Sequence, residues 1–140
     1  MAQQEVPAIN LRHAFSMRIN NSGRIEFEGA MRKSVFEPVS GGEIWGPRLQ
    51  GRVVPQSGAD YATNELTDAH MMLQAADGTW IHMNLLGFEH ADNGEAYFRV
   101  APYFDTPRGT HEWLSKTVFV GTGERHQNPS HCILHIHEVL

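Results

Sequence analysis

The chain has 140 residues, 41% hydrophobic and 19% charged, with a formal net charge of −5. That length predicts one domain over residues 1–140, able to bury roughly 68% of its unfolded surface without staples. The negative balance weighs against a nucleic-acid partner, no apolar run approaches the roughly 18 residues of a membrane helix, and the single cysteine, Cys132, rules out an internal disulfide or a multi-thiolate metal site.

The opening, MAQQEVPAINLRH, has no basic stretch followed by an apolar segment, so the expected setting is the cytoplasm with no membrane partner. Leu11, His13, Phe15, Met17 and Ile19 then alternate with polar or small residues, the period of a strand. Asn20-Asn21-Ser22-Gly23 breaks the run, and Arg24 to Glu28 alternates again, so the two predict a hairpin. Lys33 to Val39 is the next strand, ended by Ser40-Gly41-Gly42. Leu49 to Val54 follows, stopped by Pro55 and Gly58. Leu66 to Ala75 and Trp80 to Phe88 flank Asp77-Gly78, a strong hairpin signal because both residues tolerate the positive φ of a primed turn. Glu89 to Glu95 reads as a polar loop. Tyr97 to Phe104 is a strand whose Pro102 confines it to an edge, end or bulge. Thr110 to Ser115 predicts one helical turn with Thr110 as N-cap. Thr117 to Val120 and Cys132 to Val139 close the chain as strands. Eight to ten short strands with almost no helix predict an all-β fold, a single antiparallel β-barrel of calycin or lipocalin-like type. At about eight strands its interior is either just filled or holds one small ligand.

From Gly41 onward the order of motifs resembles the uncharacterised DUF 3237 family, also called UPF 0311. The matching pieces are Gly41-Gly42-Glu43-Ile44-Trp45-Gly46-Pro47-Arg48-Leu49-Gln50-Gly51, Pro55, and Gly58-Ala59-Asp60-Tyr61. They continue with Asp68-Ala69-His70, Asp77-Gly78, Tyr97-Phe98-Arg99-Val100-Ala101-Pro102 and Phe104-Asp105-Thr106. Trp113-Leu114, Thr117-Val118-Phe119-Val120-Gly121-Thr122-Gly123 and Glu138-Val139 complete the series. No single piece carries the likeness; their order over about a hundred residues does. The resemblance implies an oligomeric antiparallel barrel and assigns no activity. The chain has Tyr61 where the family usually has Trp, His70 where it has Arg, and His137 where it has Tyr.

Asp68 and His70 share one strand face, His82 and Asn84 share another, and Arg99 lies with Tyr97 on a third. Turned inward, these faces would gather a carboxylate, imidazoles, an amide and a guanidinium, with Asp60 at the barrel mouth. Turned outward, the same residues are a solvated wall. The inward arrangement suits acid–base chemistry: Asp60 and His70 transfer protons and Arg99 holds an anionic oxygen. Trp45, Tyr61, Tyr97 and Trp113 are expected to line the pocket, with Asp68, His82 and Asn84 as polar contacts. Trp80 reads as core.

His135-x-His137 has the spacing at which two imidazoles reach one metal. His131 and His135, about 13 Å apart along a strand, do not share it, so no metal is expected. Cys132 falls on the opposite face as a buried small hydrophobe. Neither a Rossmann fingerprint, a G-x-S-x-G elbow nor an H-E-x-x-H motif occurs. The expected function is small-molecule binding, as a cofactor-free isomerase, cyclase, lyase or hydrolase acting on an aromatic or carbonyl-bearing metabolite. The alternatives are a non-catalytic binding barrel and a metal-dependent, cupin-like enzyme. Surplus apolar residues in Thr117–Val120 and Met71–Leu73 predict a homo-oligomer.

Overall fold

The computed structural model describes residues 4–63 and 65–140. Ten strands run in chain order: β1 (Leu11–Asn21), β2 (Ile25–Glu28), β3 (Lys33–Trp45), β4 (Gly51–Val53), β5 (Ala59–Thr63), β6 (Leu66–Ala75), β7 (Trp80–Asp92), β8 (Glu95–Asp105), β9 (Phe119–Gln127) and β10 (Ser130–Val139). A 3-10 turn at Glu112–Lys116 is the helical element among the described residues.

The strands close into an eight-station antiparallel barrel. Around it the order is β1, β10, β9, β8, β7, β6, then β4 and β5 sharing one station, then β3 and back to β1. β4 and β5 each bridge β3 to β6, one at either end of the station. β2 stands outside the ring, paired to β3 alone.

Closure rests on β1, which hydrogen-bonds to β10 along one side and to β3 along the other. The two strands can approach because Gly42 carries no side chain: a Cβ there would fall on the carbonyl oxygen of Arg18 in β1. Its φ of +155° is also one that L side chains rarely adopt. The glycines therefore lie inside β3, and the strand expected to end at Val39 continues to Trp45. The same doubly occupied strand corrects the first expected hairpin. With both sides of β1 taken, β2 pairs with β3 instead.

Inward positions follow the strand period. β1 contributes Met17 and Ile19, β6 Met71 and Leu73, β7 Ile81 and Met83, and β10 Leu134 and Ile136, all essentially buried. One barrel end is capped by Leu114 from the 3-10 turn and by Leu49. Beneath them Phe15, Phe104 and Phe119 pack edge to face or tilted, and Trp113 lies against Phe119. Arg48 fastens this cap. Its guanidinium lies 3.9 Å from the Trp113 ring centre, and Nη1 donates to both carboxylate oxygens of Glu138. Arg12 donates to the same carboxylate at 2.8 Å, and this bond above all holds the Glu138 carboxyl below its ordinary pKa. The opposite end is polar.

The Asp77–Gly78 hairpin forms, with Gly78 at φ +91° and β6 paired to β7 from Leu66↔Phe88 to Gln74↔Trp80. Glu89 to Glu95 is not a loop. β7 and β8 extend through it and turn at Asn93-Gly94, because Asp92 still pairs with Glu95. The ladder between β8 and β9 holds only at Arg99↔Thr122 and Val100↔Gly121. It stops two residues before Pro102, which has no N–H to give. Thr110 does not cap the 3-10 turn: His111 holds that place with no side-chain capping bond.

Substituting Gly42→Ala tests the closure. The added methyl must displace the Arg18 backbone, so stability should fall by about 3 kcal/mol or more. A urea midpoint unchanged from wild type would show that the β1–β3 contact does not limit the fold.

Candidate functional site

The polar barrel end is built from residues that side-chain alternation sends inward. On β5, Asp60 is 7% exposed. On β6, Thr67 precedes Ala69 and Met71 on the inner face. On β9, Phe119, Gly121, Gly123 and Arg125 share the inner parity, and Gly123 leaves space that the Phe98 ring of β8 fills. Arg125 lies over that ring, 4.8 Å from its centre.

Arg125 is the hub. Its Nε donates to Glu89 Oε2 at 2.6 Å, and its Nη2 donates to Asp60 Oδ2 at 3.2 Å and to Thr67 Oγ1 at 3.1 Å. Burial works against the guanidinium charge, but Glu89 and Asp60 more than offset it and hold Arg125 protonated. The second oxygen of Asp60, Oδ1, is buried without a hydrogen-bond partner. Asp60 lines a narrow space of about 10 Å³ together with Met71, Phe98, Arg125 and Cys132, at the lower limit for one water molecule. Outside Arg125 the end opens into a cavity of about 260 Å³ walled by Arg24, Lys33, Glu37, Glu89 and Gln127. There Arg24 Nη1 donates to Glu37 Oε1 at 3.1 Å.

Burial raises the Asp60 pKa. Arg125 pulls it down without restoring it, and the carboxylates of Glu37 and Glu89 push it further up. Glu37 is the cross-strand neighbour of Asp60 on β3. Asp60 is therefore a carboxyl with one oxygen anchored, one oxygen free and a proton held more tightly than usual. Such a group can serve as general acid or base. Cys132, also buried here, has its thiol pushed up to about 12 by burial, so it stays protonated and is no nucleophile.

Of the expected catalytic trio, only Asp60 faces the interior. His70 and Arg99 stand on the outer wall, on β6 and β8, so the three do not converge. The inner face of β6 carries the smaller and apolar set Thr67, Ala69, Met71, Leu73 and Ala75, which leaves Asp68 and His70 outside. His70 Nε2 lies 3.4 Å from Asp68 Oδ1, and its ring 6.0 Å from that of His82. Asn84 Nδ2 lies 3.3 Å from His82 Nδ1. These four form one external polar patch. Arg99 stacks on Tyr97, also outside. Tyr61 is exposed against Phe36, and Trp45 is 43% exposed at the end of β3. Trp113 belongs to the apolar cap at the other end. Trp80, read as core, is 51% exposed on β7, while its neighbour Ile81 takes the inward place.

His131, His135 and His137 face outward on β10, opposite the buried Cys132. His13 joins them from β1, its ring 5.4 Å from that of His137. Ser16 Oγ lies 2.7 Å from His135 Nδ1 and 2.9 Å from His13 Nε2. Among the described residues no three His, Cys, Asp or Glu side chains stand close enough to hold a metal ion. Nor is any helix among the described residues long and apolar enough to cross a membrane.

Arg125 and Glu89 escape the sequence reading because their strands, β9 and β7, run further than the expected Thr117–Val120 and Trp80–Phe88; Thr67 lies inside the expected Leu66–Ala75 strand, where the period alone does not mark it as inner. Carrying the alternation of Phe119 through Gly121 and Gly123 places Arg125 inside. Gly121 and Gly123 are strand positions next to Val100 and Phe98 of β8.

Comparison with known proteins places this geometry among others of the same build. The profile of the family described as protein of unknown function (DUF3237) matches residues 9–139. A UPF0311 protein of Rhodopseudomonas palustris is 30% identical over 122 residues, covering 74% of this chain and 78% of its own length. A crystal structure of a β-barrel-like protein from Acinetobacter baumannii superposes with a TM-score of 0.89 at 22% identity, over 99% of this chain and 100% of that one. The structure of an enzyme from Penicillium herquei gives 0.70 at 23% identity, over the whole of both chains.

The raised Asp60 pKa fixes a sign. The folded state holds this proton above the ordinary value near 3.8, so stability is lost as pH climbs from there through the folded pKa. Asp60→Asn has no proton to lose. Urea melts of both proteins across pH 3.5 to 8 should therefore show the difference moving in favour of D60N as pH rises, then levelling. A constant difference would mean that burial does not perturb this carboxyl.

Proposed function

The chain belongs to the DUF3237 family of proteins of unknown function, and from that premise we propose that it binds a small molecule at its polar barrel end and performs acid–base chemistry there. One observation carries the reading: a buried carboxyl with a free oxygen stands directly behind an arginine that faces the mouth. Acid–base work needs a group that holds a proton near working pH and an electrophilic partner for the charge that develops. Asp60, which burial makes hold its proton more tightly than an ordinary carboxyl, takes the first role. Arg125 takes the second, which the sequence had suggested for Arg99.

In this reading the ligand enters the 260 Å³ cavity and sets a carbonyl, phenolate or carboxylate oxygen against Arg125. That volume lies below the usual range of ligand pockets, about 300–1,000 Å³, and suits a compound of about one ring. Asp60 reaches the ligand through one bridging water in the narrow space behind Arg125, giving or taking a proton at carbon or oxygen. The reaction classes that need no more than this are isomerisation, cyclisation, lyase chemistry and hydrolysis. A relative of the same fold is called an enzyme, which is in keeping with catalysis and assigns no reaction.

A second reading is favoured by the depth of Asp60. A ligand in the mouth touches Arg125, Glu37 and Glu89 before it reaches Asp60, so the same site can bind without turnover. One experiment separates the two. Small aryl ketones, phenols and aryl carboxylates are incubated with the protein in D2O, and proton NMR follows both ligand binding and deuterium uptake next to the carbonyl. Catalysis predicts uptake that falls about 100-fold or more in D60N while binding persists. Arg125→Lys, which keeps the charge but loses the planar fork, should weaken both. Binding without exchange for every compound would leave the binding barrel. Binding to none of them would overturn the site.

A further inference from the structure

A second concavity lies on the outer wall, away from the mouth, an open groove of about 730 Å³. Its origin is local. Gly87 on β7 and Gly121 on β9 flank Val100 of β8, and all three hold inward positions. A Cβ on Gly87 would meet Phe98 and Thr67, and one on Gly121 would meet Ile136 and Val100. With no side chains at those two places, the wall lies close to the core and dishes in. The short β8–β9 ladder is centred on the same spot.

The dish is lined above by apolar side chains that the barrel does not use. Leu11, Leu86 and Phe88 are each 44–54% exposed, and Val120 and Ala101 fill in between. Arg99 stands at its rim, and Thr122 and the His137 imidazole also line it. Arg99 rests 4.6 Å from the centre of the Tyr97 ring and donates through Nη1 to the carbonyl of Phe98. Those two contacts fix the plane of the guanidinium and leave its other N–H groups free. Among the described residues no Asp or Glu lines the dish.

From this arrangement we infer that the outer groove is a binding site for an amphipathic carboxylate. The apolar body of the ligand lies over Leu86, Phe88 and Val120, and its carboxylate takes the fork of Arg99. The volume suits a body of about ten carbons. Charge argues for this occupant over a second copy of the chain. A two-fold contact through this face would lay two Arg99 guanidinium groups against apolar wall with no acid to meet either one. An amphipathic acid supplies what the groove lacks, a negative charge at one end of an apolar body. The site is separate from the mouth and does not depend on Asp60 or Arg125.

The test uses the full chain with decanoate and 2-naphthoate as probes, and decanol and 2-naphthalenemethanol as neutral counterparts. Backbone amide spectra report where each binds, and titration gives its affinity. Both acids are expected to shift the amides of Gly87, Ala101 and Gly121, and to bind more tightly than the alcohols. Arg99→Gln should weaken the acids at least about tenfold and leave the alcohols unchanged, because it removes a charge-assisted contact from an exposed side chain. Ala101→Trp should fill the groove and abolish binding of all four, and D60N should bind as wild type does. Preference for one acid over the other distinguishes acyl from aryl ligands. Four results would overturn the inference: no acid binding, acids and alcohols bound alike, no effect of R99Q, or shifts centred on the mouth. A dimer in solution that A101W converts to a monomer would also overturn it, by showing the groove covered by a second chain.

Discussion

The strand β1 must serve two neighbours at once, and nearly everything else follows from that. Hydrogen bonding to β10 and β3 turns an open sheet into a ring, which removes the edges an open sheet would expose. Once the ring is closed, register is fixed around the whole circumference. A slip of one residue in any strand would send its entire inner set outside. On β6 that slip would exchange Thr67, Ala69 and Met71 for Asp68, His70 and Met72. The identity of the candidate site is in this sense a consequence of closure, and closure depends on a glycine where β3 meets β1.

The two barrel ends then divide the work. At one end aromatic rings, Leu49 and Leu114 form an apolar plug held by Arg48 and Glu138. At the other, Arg125 draws three acceptors inward, on Asp60, Glu89 and Thr67. The apolar plug supplies burial, and the buried Glu138 carboxylate beside it is met by Arg12 and Arg48. The arginine cluster carries a desolvation cost, visible in the raised Asp60 pKa, that hydrogen bonds offset only in part. Proteins that retain such a cost in a core otherwise free to be apolar often do so at functional sites.

How much of this was legible in the sequence depended on which physical signal was asked for. Asp77-Gly78 specified its hairpin because turn chemistry is local. The barrel class followed from short alternating runs, which need no knowledge of what lies opposite. The direction of each face was not legible in the same way. Period two says that Asp68 and His70 share a side, and it says nothing about which side is inner. On β6 and β7 the apolar residues outside, Leu66, Met72, Leu86 and Phe88, blur a contrast that the full pattern carries: the face with Met71, Leu73, Ile81 and Met83 turns inward, and the face with Asp68, His70, His82 and Asn84 turns out. Asp60 was found because a short polar residue after Gly58-Ala59 stands out. Arg125 is masked because Gly121 and Gly123 resemble punctuation, although both are strand positions and Gly123 makes room for Phe98.

The small strand β2 sits outside the ring, and its outer edge is unpaired. It is four residues long, and its alternate positions are Ile25 and Phe27, both more than half exposed, and Glu26 and Glu28. Such an edge is where one barrel molecule can recruit the next into an extended sheet. Brevity limits the ladder a neighbour can form. Charge limits it further: Glu26 is ion-paired to Arg24 and Lys33, and Glu28 stands exposed beside it. A neighbouring strand would have to strip water from that charged row to pair here, so the row acts as a gatekeeper of colloidal behaviour.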